Sequence, residues 1–286
     1  MSRKILIQLD GDSHASSFDS VVAYDAGIDA LLSHANVTPE NVTPLVHGAM
    51  FTRGGDDLKN TALFIGGSNV RRAEALLEKV KGCFFGPVRN SVMLDANGCN
   101  TTAAAAVVYA GREVQLAGAT AVVMGATGPV GERVARMLAD DGANVVVTSR
   151  SLDRATEVAD TIRTQTKRGS IQAASASKPA DVEPLLHDAQ ILIACGAAGV
   201  QLVDEATLQS SSSLRVAIDL NAVPPVGIEG IAVTDKAKTR GDLKLYGAIG
   251  VGGLKMKTHR AAIAALFESN DRVLDYVEIY KISKTV

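Results

Sequence analysis

The sequence predicts an α/β protein of two domains, the C-terminal one a Rossmann-type doubly wound parallel sheet and the N-terminal one a second α/β layer structure. Three observations predict it. Short apolar runs rich in Val, Ile, Leu and Ala alternate with segments of helical period, the pattern of βαβ units whose strands are buried on both faces. Residues 119–150, ATAVVMGATGPVGERVARMLADDGANVVVTSR, form a strand–turn–helix–strand unit of about 30 residues with a glycine-rich turn. The chain has 286 residues, enough to bury two cores.

From the N-terminus, residues 4–9 read as a strand, with Asp10, Gly11, Asp12 and Ser13 in the loop beyond its C-terminal end, where open α/β sheets bind ligands. Ser16 or Ser17 is placed to cap a helix over 18–26 that contains Asp19 and Asp25. Asp19 also suits the positive end of that helix's dipole. Thr38 as cap and Pro39 at the first position predict a helix from there through Leu45. Residues 51–55 are a turn, 61–65 a strand, and 66–69 a glycine turn into an amphipathic helix ending at Lys81. Residues 89–94 are a strand running into DANGCNTT and an alanine-rich helix to Tyr109. Asp95, Asn97 and Asn100 crowd that turn; capping accounts for one or two of them, and the run of several points to a ligand site.

The nucleotide unit follows, with a domain boundary expected over 111–118. Residues 121–124 are a buried strand and 144–148 its partner, with Val130, Val134, Met137 and Leu138 on one face of the helix between. Beyond it come a helix over 153–165, a strand over 170–174, a helix near 182–186 and strands over 190–194, 214–220 and 243–249. Gly250, Gly252 and Gly253 then open a helix on which Lys255 and His259, at i and i+4, face the same way. Residues 273–284 read as a terminal helix packing back across the chain. The expected domains are 1–112, 113–270 and this terminal segment, 271–286.

The chemistry of the turn follows from its spacing. Gly125, Gly128 and Gly131 stand as G-x-x-G-x-x-G between a strand and a helix. The first permits the tight turn, the second lets a pyrophosphate approach the backbone, and the third lets helix and strand pack closely. Thr127, Pro129 and Val130 share that turn, and the helix N-terminus favours phosphate. An NAD site commonly carries Asp or Glu at the end of the second strand. Here Ser149 and Arg150 stand there, with Arg154 one turn on, a set suited to a 2′-phosphate and so to NADP over NAD. Cys195 and Gly196 end a later strand where small residues admit the cofactor, and Asn221 begins another exit loop.

Composition limits the function. The formal net charge of −2 gives no electrostatic case for nucleic acid or an anionic membrane. The cysteines, Cys83, Cys99 and Cys195, are odd in number and widely spaced, which argues for a reducing compartment. No metal-binding spacing, signal peptide or membrane-length apolar run is present, and a cytoplasmic protein is expected.

The blocks FTRGG, FFGP, MLDANGCNTTAAA, GATGPVG, NAVPPVGIEGI and GAIGVGGLKMKTHR, in this order along nearly the whole chain, resemble the bacterial NADP-dependent methylene-tetrahydromethanopterin (methylene-tetrahydrofolate) dehydrogenases. The resemblance implies an N-terminal pterin-binding domain, a C-terminal NAD(P) domain with a cleft between, and a homo-oligomer such as a trimer. It implies oxidation of the methylene bridge to methenyl in formaldehyde and one-carbon metabolism. It assigns Lys255 to the substrate site as the catalytic lysine, with Asp19, Asp95, Asn100 and His259 on the substrate side. It places Gly128, Pro129, Val130, Arg150 and Asn221 in cofactor-binding blocks.

Such a reaction passes a hydride from a carbon held between two nitrogens straight to the nicotinamide. No general base is required; approach geometry and tolerance of a developing cation are. Asp19 or Asp95 would favour that cation. A charged Lys255 would oppose it unless its ammonium bonds a pterin carbonyl away from the reacting carbon. Two other readings compete: a two-domain NADP dehydrogenase of the shikimate dehydrogenase type, and a non-catalytic NADP-sensing module.

Overall fold

The structure, a computed structural model, describes residues 2–286. In chain order the elements are β1 (Ile5–Asp10), α1 (Ser17–Asp25), β2 (Ala30–His34), α2 (Thr43–Phe51), β3 (Thr61–Gly66), α3 (Val70–Gly82), β4 (Ser91–Leu94) and α4 (Cys99–Glu113). There follow β5 (Thr120–Met124), α5 (Pro129–Asp140), β6 (Asn144–Ser149), α6 (Leu152–Arg163), β7 (Ser170–Ser175), α7 (Glu183–Leu186), β8 (Ile191–Ala194) and α8 (Glu205–Ser210). The last are β9 (Val216–Asp219), β10 (Lys238–Arg240), β11 (Leu243–Tyr246), α9 (Ala248–Ala265), β12 (Val273–Leu274) and α10 (Tyr276–Ser283). The chain forms two compact units. One runs to Thr101 and resumes over Lys255–Val286; the other is Thr102–Leu254. The divisions fall inside α4 and α9, so residues 255–270, expected with the nucleotide domain, belong to the first unit.

The first unit holds a sheet of order β2-β1-β3-β4-β12 in which every pairing is parallel. The winding direction reverses between β1 and β3. This is the switch point of a doubly wound sheet, and ligands bind outside the carboxyl ends of the strands there. Every residue of β3 and β4 is buried, as near-continuous apolar runs demand. Helix α3 buries Val70, Ala73, Leu76, Leu77 and Val80 on one stripe; Asn69 caps its start by accepting from the Arg72 N–H, worth about 1 kcal/mol.

The second unit holds a sheet of order β10-β11-β9-β8-β5-β6-β7. All pairs are parallel except the edge strand β10, which runs antiparallel to β11. Without β10 the order is that of dinucleotide-binding folds, with the switch point between β5 and β8. Val122, Met124, Leu192, Ala194, Ala217 and Leu245 sit in one buried cluster of this unit.

Several expectations change. The helix predicted from Pro39 begins at Thr43 instead. The Thr38 hydroxyl accepts from the Glu40 N–H and the Asn41 amide oxygen from the Thr38 N–H, so both residues close a local turn in place of a helix cap. Strand β2, unpredicted, is a half-exposed sheet edge with little apolar pattern. The strand expected over 243–249 stops at Tyr246, because α9 already starts at Ala248 and runs through its glycines. A Cβ at Gly250 would lie 1.9 Å from the Asp235 carbonyl oxygen, so that glycine lets the helix start pack closely on the backbone at Asp235 and Lys236. The terminal helix is shorter than expected: Val273–Leu274 pairs with β4, and Asp275 then caps α10 through the Val277 and Glu278 N–H groups.

Candidate functional site

The glycine turn leaves β5 at Met124. Gly125 has φ of +68°, and a Cβ on it would lie 2.8 Å from the Gly196 Cα. A Cβ on Gly131 would lie 2.7 Å from the Ala126 Cα and 2.8 Å from the Gly125 oxygen. These two glycines let the turn close on itself and on the exit of β8. Gly128 differs. The nearest atom to a Cβ there is the Gly125 oxygen at 3.7 Å, so its outer face stays open. Gly128 is also the N-cap of α5, with no side-chain cap bond, and Pro129 takes the first helical turn. Thr127 and Pro129 are exposed beside it and Val130 is half-buried. An open glycine at an uncapped helix start fits a dinucleotide diphosphate.

At the end of β6, the Ser149 hydroxyl accepts from the Ser151 N–H, and Ser151 caps α6 through the Arg154 N–H. Arg150 and Arg154 are exposed, and among the described residues neither guanidinium is paired with a carboxylate. The Cys195 N–H donates to the Met124 carbonyl, and burial, with the charge of Asp219 behind it, pushes its thiol far up; it fills space. Asn221 uses its amide inside its own loop, donating to the Pro225 carbonyl and accepting from the Val223 N–H. Those two bonds fix the exit loop of β9, where the sequence places Asn221. Buried Asp219, which the sequence reading missed, anchors this loop by accepting from the Asn221 and Ile228 N–H groups. Its carboxyl is raised, burial outweighing those bonds.

In the first unit, the switch point gathers residues from four elements. Asp10 ends β1 and accepts from the Asp12 and Ser16 N–H groups; Asp12 in turn holds the Ser68 N–H and hydroxyl. The exits of β1 and β3 are thereby tied together. Gly66 ends β3, and a Cβ on it would stand 3.3 Å from Asp10 Oδ2 and 3.6 Å from Asp19 Oδ2. Asp19 lies in the first turn of α1, whose cap Ser16 accepts its N–H. His259 of α9 faces Asp19 Oδ1 with Nε2 at 4.0 Å and Asp95 Oδ2 with Nδ1 at 3.9 Å, and stacks on Phe64. Lys255, one turn earlier, holds its ammonium 4.3 Å from the centre of the exposed Phe18 ring.

The electrostatics follow from burial. Asp19 is raised to about 6, chiefly by desolvation, with Asp95 and Asp10 adding and Ser16 and Lys255 opposing. His259 is pulled down to about 4 by desolvation against the attraction of Asp95. Lys255 is lowered by desolvation, with Asp95 and Asp19 opposing. Four of the five predicted substrate-side residues therefore meet at one point. Asn100 does not present its amide there: it is fully buried and donates to the Leu94 carbonyl. Asp95 is fully buried too; it faces His259 and acts on Asp19 and Lys255 through its charge. Phe18 was missed; its signal is an aromatic residue on the outer face of a helix start. Among the described residues no group of His, Cys, Asp or Glu side chains could hold a metal ion.

Residues 17–97, which contain β1's exit helix through the Asp95 turn, match the family described as methylene-tetrahydromethanopterin dehydrogenase, N-terminal. Residues 109–237 match shikimate/quinate 5-dehydrogenase, a likeness confined to the nucleotide-binding unit. The chain is 46% identical over 288 residues to the bifunctional protein MdtA of Methylorubrum extorquens, covering 99% of each. It is 31% identical to the NAD(P)-dependent methylenetetrahydromethanopterin dehydrogenase of the same organism, covering 99% of this chain and 98% of that one. Among solved structures, quinate dehydrogenase from Corynebacterium glutamicum in complex with NAD aligns at a TM-score of 0.56 and 14% identity over 100% of both chains, a likeness of fold.

Proposed function

The chain belongs to the methylene-tetrahydromethanopterin dehydrogenase family, and on that premise we propose how its residues oxidise the methylene bridge of a reduced pterin with NAD(P). The observation that carries the reading is the meeting of Asp19, His259, Asp95 and Lys255 at the switch point of the first unit's sheet.

The residues that fit the dinucleotide are Thr127, Gly128, Pro129 and Val130 at the start of α5, with Ser149, Arg150 and Arg154 toward the adenosine ribose. Bound there, NAD(P) supplies the hydride acceptor. Two unpaired guanidiniums, with Ser149 in place of a carboxylate, favour NADP over NAD.

Lys255 sits half-buried on the Phe18 ring, a fixed donor for a pterin carbonyl. Phe18 offers a flat apolar face beside it. Asp19, partly exposed, provides negative charge for the amidinium-like product. No side chain has to remove a proton from the reacting carbon, because the C–H electron pair leaves with its hydrogen. The shikimate dehydrogenase alternative rests on the nucleotide-binding segment alone, and the first unit matches the pterin family instead.

Self-association belongs to this reading. Val21 and Tyr24 are 61% and 54% exposed one turn apart on α1, an apolar patch that a partner would cover while Phe18 stays with the pterin. Light scattering would report a mass above that of one chain. Among the described residues no helix is long and apolar enough to cross a membrane. The direct test is incubation with methylene-tetrahydromethanopterin or methylene-tetrahydrofolate and NADP. The reading expects reduced nicotinamide to appear in step with the methenyl pterin; oxidation of shikimate in its place would refute it.

A further inference from the structure

His259 is the most unusual polar group in the first unit. Its ring is fully buried, and neither ring nitrogen has a hydrogen-bond partner. Each nitrogen instead faces a carboxylate oxygen, Nδ1 toward Asp95 Oδ2 at 3.9 Å and Nε2 toward Asp19 Oδ1 at 4.0 Å. A movement of about 1 Å on either side makes a hydrogen bond. Burial keeps the imidazole neutral, so it has one donor nitrogen and one acceptor nitrogen. A neutral imidazole can satisfy two carboxyl groups only if one of them brings its own proton.

The surroundings decide which one. Asp95 is committed as an acceptor: Oδ1 takes the Asn100 and Thr101 N–H groups at 2.9 and 3.0 Å, and Oδ2 takes the Thr101 hydroxyl at 2.6 Å. The imidazole proton therefore belongs on Nδ1, toward Asp95. Nε2 is left as an acceptor facing Asp19. The titratable groups around Asp19 are Asp10 from β1, Asp95 from the turn after β4, and Lys255 and the neutral His259 from α9, with the Ser16 hydroxyl at the cap of its own helix. Two carboxylates and burial favour its neutral acid; Lys255 and Ser16 oppose.

Resting on the pterin reading above, we propose that Asp95 and His259 hold Asp19 as a neutral acid while the uncharged methylene pterin is bound, and that Asp19 releases its proton when the cationic methenyl product occupies the site. The balance is simple. The C–H bond of the bridge breaks with its electron pair leaving to the nicotinamide. The O–H bond of Asp19 breaks, and its proton goes to bulk water through the exposed edge of the carboxyl. Without the proton, Asp19 is repelled by the Nε2 lone pair and turns to the cation. Asp19 is the catalytic group; His259 is a positioning residue that acts through it.

The test counts protons. Calorimetric titration of the full chain with methenyl-tetrahydromethanopterin at pH 5.5, in two buffers of different ionisation enthalpy, gives the protons released per cation bound. The wild type should release more than half a proton, and Asp19→Asn none. His259→Leu, which keeps the site dry but removes Nε2, should reduce the release at least threefold. His259→Gln, whose amide can donate to Asp95 and accept from Asp19, should restore it. Wild type that binds the cation without releasing a proton overturns the proposal and leaves the pterin reading standing. Full release from His259→Leu shows that burial alone protonates Asp19, and removes His259 from the account. Failure of the wild type to bind the cation overturns both.

Discussion

The Lys255 ammonium lies 4.3 Å from the centre of the Phe18 ring, although the ring is 53% exposed. A large aromatic ring held at the surface under a half-buried cation is poorly explained by packing alone. A cation–π contact of this kind is worth about 0.5–1 kcal/mol at an exposed site. Phe18→Leu should therefore raise the KM for the pterin about three-fold, leave the KM for NADP unchanged and lower the thermal midpoint by only about 1–4 °C. Steady-state kinetics with each substrate varied in turn check this, and Phe18→Tyr should behave as wild type.

The three glycines of the turn should separate by function. A Cβ on Gly131 would meet the Ala126 and Gly125 backbone below 3 Å, so Gly131→Ala should cost about 1–3 kcal/mol of stability. A Cβ on Gly128 meets nothing closer than 3.7 Å. Gly128→Ala should cost less than about 1 kcal/mol yet weaken NADP binding by at least tenfold, because its outer face is where the diphosphate approaches. Urea unfolding alongside nucleotide titration distinguishes the two.

Cofactor choice should rest on Arg150 and Arg154. Replacing both by Ala removes the paired donors for a 2′-phosphate while touching no ion pair of the described residues. The ratio of kcat/KM for NADP to that for NAD should fall by about 10- to 100-fold, mostly through the KM for NADP. An unchanged ratio would place nucleotide discrimination elsewhere.

Asp19 should trade stability for function. Its folded-state value is raised from 3.8 to about 6, so its contribution to stability is fully present below about pH 4 and is lost as the pH rises through 6. Above that, the buried charge is a cost. Asp19→Asn should accordingly be more stable than wild type at pH 8, by on the order of 2 kcal/mol, with the difference vanishing near pH 4. The same variant should lose oxidation activity. Thermal melts across pH, paired with rates, measure both.

The glycine unit was fully legible. Its strands, helix and turn fall within a residue or two of the predicted bounds, because glycine spacing and apolar runs are local signals. The convergence of Asp19, His259 and Lys255 was legible only through the family resemblance; spacing places Lys255 and His259 on one helix face but says nothing about α1. What stayed hidden depends on distant contacts. Whether Asp95 and Asn100 face a ligand or the core is set by the Leu94 carbonyl and the His259 ring, not by the turn's composition. The membership of residues 255–270 in the first unit follows from α9 packing and the β12–β4 pairing, which no periodicity encodes. The displaced start of α2 reflects a contest between two local options that Thr38 and Asn41 settle in favour of a turn.

The most direct measurement is the kinetics of Lys255→Ala with the pterin and the nucleotide varied separately. If the first unit's switch point holds the pterin, kcat/KM for the methylene pterin falls by at least tenfold while the dissociation constant for NADP stays as in wild type. Unchanged pterin kinetics in a folded Lys255→Ala protein, or a loss confined to NADP, would contradict it.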